Sequence, residues 1–171
     1  MTSRLVLHAG PAAGFDQPFE MLAACHERVR RSLDLLQRLQ AHVQQHGVDA
    51  QAREAAADVL RYFDRAGPAH HEDEERHVLP QLRRSGHAVM ADRLHADHVE
   101  LTGLWTALRE PLIAWCGGAA ATLDASLLKR YVALYDAHLA VEDGQAFAAA
   151  RAGCDEAALM RMGQEMASRR S

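Results

Sequence analysis

Three observations predict an all-α fold, an up-down-up-down four-helix bundle with a short extra C-terminal helix. Alanine and leucine supply 54 of the 171 residues, whereas valine, isoleucine and threonine supply 15, so helix formers far outnumber the β-branched residues that strands favour. Glycine and proline gather in a few places and leave long uninterrupted runs between them. Within those runs apolar residues recur at three- and four-residue spacing, the period of one helix face.

The elements follow in order. The chain opens irregularly around Gly10, Pro11, Gly14 and Pro18. A first helix is predicted from Phe19 to Gln45, free of Gly and Pro, with Gly47 as its C-cap. Asp49 is a good N-cap for a second helix from Ala50 to Arg84, which Ser85-Gly86 ends and which Gly67-Pro68 should kink or break. A third helix is predicted from Ala88 to Trp115, with Pro111 bending or ending it before the Gly117-Gly118 loop. The fourth runs from Leu123 to Ala150. Cys154 to Arg169 reads as a short amphipathic helix with Leu159, Met162 and Met166 on one face. Three helices of about 25 to 30 residues, each near 40 Å long, and a longer second one, joined by short loops, suit a bundle.

The length fits a single domain over residues 1–171. A net charge of −4 with 25% charged residues gives no surface for a polyanion, so no nucleic-acid partner is expected. Cys25, Cys116 and Cys154 are odd in number and widely spaced, which indicates neither a disulfide framework nor a Cys-x-x-Cys site. The apolar run before His8 is too short for a signal peptide, and no stretch approaches the roughly 18 apolar residues of a membrane span. A cytoplasmic protein with reduced thiols and no membrane partner is the expectation.

Histidine, at 11 residues, is the conspicuous count, because imidazole is the commonest metal ligand. Following the inward stripes shows where several of these fall. The first helix gives Leu22, His26, Val29, Leu33, Leu36 and Val43; the third gives Leu94, His98, Leu101, Trp105 and Leu108. The fourth gives Tyr131, Leu134 or Tyr135, His138 and then Glu142, a His-x-x-x-Glu pair on the inner face. The second helix holds two such registers. The one through His71 and Glu75 continues to Val78 and Leu82 and is read as buried, with Glu72 beside it; His70 with Glu74 is read as an i,i+4 pair on the solvated face. His95, three residues before His98, stays open as an additional ligand.

Ionised carboxylates in an apolar core cost several kcal/mol each unless something neutralises them. A divalent metal does so directly, and mixed imidazole and carboxylate donors suit iron, manganese or zinc better than calcium. The inward set of His26, His71, Glu72, Glu75, His98, His138 and Glu142 is too large for one six-coordinate ion and fits two ions bridged by carboxylates.

These residues, Cys25-His26, His71-Glu72-x-x-Glu75 before Val78-Leu79-Pro80, Asp97-His98 and His138-x-x-x-Glu142, resemble the hemerythrin-like (HHE cation-binding) family over roughly residues 18 to 150. The resemblance implies a non-haem di-iron centre with a bridging oxo or hydroxo group, manganese or zinc being substitutes. His26 and His71 would bind one iron, His98 and His138 the other, and Glu75 and Glu142 would bridge. Oxygen-carrying hemerythrins have a histidine four residues before the one matching His98, where this chain has Leu94, and an aspartate at the position of Asp143. The glutamate pattern, with Glu72 as a substitute ligand, is closer to the iron-sensing hemerythrin domain of an F-box ubiquitin ligase. The resemblance therefore implies binding of or reaction with O2 or NO in sensing, storage or stress protection, by a metal- and oxygen-binding protein rather than a catalyst. The monomer or a homodimer would serve, and any protein partner is unspecified. Two alternatives are a ferroxidase or peroxide- or NO-reducing enzyme, and a metal-free interaction module whose Met160, Met162 and Met166 helix docks a partner.

Overall fold

The computed structural model describes residues 14–170; the expected irregular opening at Gly10 and Pro11 lies outside them. Helix α1 spans Pro18–His46, α2 residues 50–84, α3 Ala88–Cys116, α4 residues 125–152 and α5 Glu156–Ser168, with no strand among the described residues. Aspartates start three of them. The Asp49 carboxylate accepts from the Ala52 N–H, Asp124 from Ser126 and Leu127, and Asp155 from Ala158, each satisfying first-turn donors that a helix leaves unpaired.

Helix α1 packs against α2 and α4, and α3 packs against the same two, so the four long helices close into a bundle with α5 laid on α1. No described helix is long and apolar enough to cross a membrane. Its core is divided. One apolar cluster includes Val29, Leu36, Phe63, Leu101, Trp105, Tyr131 and Tyr135. The other includes Leu22, Val78, Leu82, Leu94, Phe147, Met162 and Met166. Between the two, at the same level on every long helix, lie buried His26, His70, Glu74, His98, His138 and Glu142. On α1 and α3 the histidine sits about one turn from an apolar neighbour on both sides, Leu22 and Val29 around His26 and Leu94 and Leu101 around His98, so apolar packing above and below brackets a buried polar layer.

Two expectations are narrowed or corrected. Of the kink or break expected at Gly67-Pro68 and the bend or end expected at Pro111, the break and the end do not occur. In α2 the ladder widens to i→i+5 over Tyr62–Ala66 and Glu74–Val78, where the Gly67 N–H donates to the Tyr62 carbonyl and the Leu79 N–H to that of Glu74. These π turns directly precede Pro68 and Pro80, whose rings would crowd an ordinary ladder and whose missing N–H has no bond to lose there. Pro111 lies near the end of α3, and buried Leu108, Leu112 and Trp115 hold the helix through it. The second correction concerns α5. Met162 and Met166 are buried in the lower cluster and only Met160 is largely exposed, so that face is already covered by this chain's own core.

Candidate metal centre

The helical period explains why α2 contributes three polar side chains to one layer. Glu74 follows His71 by three residues and His70 by four. At about 100° per residue, Glu74 therefore projects between the two imidazoles one turn away. Both registers of the His-His-Glu run are thereby used. A third π turn, Glu142–Ala146, starts at the glutamate of α4, with the Phe147 N–H donating to the Glu142 carbonyl.

Two carboxylates occupy the middle of the layer and divide the imidazoles between them. Glu74 Oε1 lies 3.0 Å from His70 Nε2 and 3.8 Å from His26 Nε2, while its Oε2 lies 3.3 Å from His98 Nε2. Glu142 Oε2 lies 3.2 Å from His26 Nε2 and its Oε1 3.2 Å from His138 Nε2. The His98 and His138 Nε2 atoms are themselves 3.2 Å apart, and the His71 ring stacks on His98 with centroids separated by 4.3 Å. Two groups result, His26, His70, Glu74 and Glu142 on one side and His71, Glu74, His98 and His138 on the other. Within each group one donor atom from every residue lies within 4.8 Å of the others.

The outer ring nitrogens are tied to a second layer of carboxylates. His26 Nδ1 is 2.7 Å from Asp143, which Arg30 also holds; His98 Nδ1 is 2.7 Å from Glu75; His138 Nδ1 is 3.3 Å from Asp97. A proton on Nδ1 donated outward leaves Nε2 with its lone pair aimed at the centre, the arrangement that orients and strengthens metal-binding imidazoles. Inside, the donors are in excess of the hydrogen bonds available. His26 Nε2, both His70 nitrogens and all four oxygens of Glu74 and Glu142 are buried with no hydrogen-bond partner among the described residues. Buried polar atoms are nearly always satisfied, so seven orphans in one place fit a positive ion or ions.

The electrostatics of the metal-free layer agree. Burial alone would lower the His26 pKa, but Glu142 and Glu74 overcome it and raise it to about 9. Burial would likewise lower His70, and the Glu74 charge carries it well above its usual value. Glu74 is held far below the usual carboxylate range because His70, His26 and His98 outweigh its burial. His71 is pushed well below its ordinary value by burial and by His98 alongside, which keeps it in the neutral, metal-binding form. Protons thus occupy the place that cations would take.

Of the residues expected from sequence, His26, His71, His98, His138 and Glu142 come together in the layer. Glu72 and Glu75 do not. Glu72 is exposed and paired with Arg76 and Arg169, because it lies on the opposite side of α2 from Glu74. Glu75 is half-buried, bridging His95 and His98 from outside the two groups. The expectation that the His71–Glu75 register alone is buried is therefore corrected: His70 and Glu74, assigned to a solvated face, are 2% and 0% exposed. His95 is outside both groups. The position left apolar by Leu94 on α3 does not reduce the imidazole count, since His71 brings a third ring to His98 and His138 from α2.

A cavity of about 510 Å³ opens beside the three-imidazole group, with His71 and His98 in its wall and Phe63, Leu101, Trp105 and Tyr135 around it. Leu94, which the inward stripe would place there, lies in the other apolar cluster.

Comparison with known proteins agrees with this geometry. A protein of Haemophilus influenzae, itself uncharacterized, is 32% identical over 167 residues, covering 96% of each chain. The hemerythrin HHE cation-binding domain matches residues 17–150, the stretch that carries every residue of both groups. The chain belongs to the hemerythrin HHE cation-binding family.

Proposed function

We propose that this chain is a cytoplasmic non-haem di-iron protein that binds O2 or NO, or reacts with them, in a sensing, storage or stress-protection role. The observation that carries the reading is the pair of fully buried carboxylates, Glu74 and Glu142, whose oxygens divide between two imidazole groups and have no other partner among the described residues. His26 and His70 would hold one metal, His71, His98 and His138 the other, with both glutamates bridging. Two imidazoles would serve one site and three the other. When bound, ferrous iron supplies a centre able to pass electron density to a diatomic ligand. The surrounding chain supplies the rest. Apolar layers above and below exclude water, and Asp143, Glu75 and Asp97 hold three imidazoles in register. The mixed imidazole and carboxylate set supports iron, with manganese or zinc as substitutes.

The reading is tested by loading the chain anaerobically with ferrous iron and recording absorption spectra before and after addition of O2 or, separately, NO. New near-ultraviolet or visible charge-transfer bands that depend on the gas are expected. Spectra unchanged by either gas, in protein shown to hold iron, contradict it.

A further inference from the structure

The cavity beside His71 and His98 is much larger than a diatomic ligand requires. A water-sized molecule fills roughly 30 Å³, whereas this cavity has about 510 Å³ and so falls in the range of about 300 to 1,000 Å³ typical of organic-ligand sites. Its walls are aromatic and aliphatic: Phe63, Trp105 and Tyr131 pack ring against ring, with centroids 5.0 to 6.1 Å apart, and Leu101 and Tyr135 complete them. Val99, 62% exposed, extends the apolar lining outward.

Its charged groups narrow the ligand class. Among the described residues no lysine or arginine lines the cavity, and its His95 and His98 are already paired with Glu75, so an anion is disfavoured. Neither carboxylate is free to hold an organic cation, because Glu72 is paired with Arg76 and Arg169 and Glu75 with His95 and His98. What remains is a neutral molecule with apolar, ring-shaped surface. We propose that this cavity binds a neutral aromatic organic compound and holds it against the His71 and His98 side of the polar layer. The proposal needs only the cavity; as a co-substrate site it rests on the metal reading above.

The test uses the full chain, stripped of metal and metal-loaded, titrated with the neutral fluorescent probe N-phenyl-1-naphthylamine. Saturable binding at one probe per chain is expected in both forms. Thr102 lines the cavity from an exposed position of α3, so Thr102→Trp lays a large ring across the mouth without entering the core. This variant should bind the probe at least about ten-fold more weakly, roughly 1.4 kcal/mol, with unchanged helicity by circular dichroism. Lys129→Trp, against a different depression of the surface, should bind as wild type. The anionic analogue 8-anilinonaphthalene-1-sulfonate should also bind at least about ten-fold more weakly than the neutral probe. Absence of saturable binding, undiminished binding by a folded Thr102→Trp chain, or preference for the sulfonate overturns the proposal. Metal content is measured on the same samples, so probe binding by a chain that takes up no iron on loading would contradict the di-iron reading alone, and iron uptake without probe binding this one alone.

Discussion

At the scale of single residues, Glu74 is the side chain on which both halves of the layer depend. Removing it leaves His26, His70 and His98 facing one another without their shared carboxylate. Glu74→Ala is therefore expected to lose most of the bound metal, whereas Glu72→Ala, on the exposed side of α2, should keep wild-type content by elemental analysis. Glu75→Ala should keep both sites but weaken the one that His98 serves about 10- to 100-fold, the usual effect of removing a carboxylate that orients a ligating imidazole; competition with a chelator of known affinity measures it. The histidines of α1, α3 and α4 are legible in the sequence because each interrupts an unambiguous apolar stripe. Those of α2 are not, since adjacent histidines and four consecutive acidic residues satisfy two helical registers at once. The resolving signal is present nonetheless: only Glu74 stands three residues from one histidine and four from the other.

At the scale of elements, the helix limits follow from caps and glycines: Asp49 marks a start that the structure reproduces, and Asp124 and Asp155 cap the last two helices within two residues of the starts expected at Leu123 and Cys154. The π turns are invisible to a regular-period reading, because each adds a residue to one turn and advances the downstream face. That is why α2 keeps a buried stripe at nearly four-residue spacing through Val59, Phe63, Gly67, His70, Glu74 and Val78. Helix α5 acts on the same region. Asp73, fully buried beside Glu74, is neutralised by Arg169 and Arg170 from the end of α5. Substituting both arginines by alanine leaves that carboxylate buried and unpaired, which costs about 3 to 5 kcal/mol. Urea denaturation of the metal-free protein should show a loss of that order, and a loss below about 1 kcal/mol would show that Asp73 finds water or another partner.

At the scale of the whole molecule, metal and protons compete for one layer. In the metal-free chain the His26 pKa is raised to about 9, so its contribution to stability is complete below the unfolded value near 6.5 and is lost as pH rises through 9. Glu74, held low, contributes above the ordinary carboxylate range and loses its contribution as pH falls through it. The metal-free protein should accordingly melt at a lower temperature at pH 9 than at pH 7. Metal binding releases the imidazole protons and is favoured over the same interval, so the gap in Tm between metal-loaded and metal-free chains should widen; a constant gap, measured by calorimetry, would show that the layer carries no proton to displace.

The most direct test of a paired centre bridged by Glu74 and Glu142 is the stoichiometry of an anaerobic ferrous titration, followed by elemental analysis after removal of free metal. Two irons per chain, reduced sharply in Glu74→Ala and unaffected in Glu72→Ala, are the predicted result. One iron or none, or a loss in Glu72→Ala equal to that in Glu74→Ala, would contradict it.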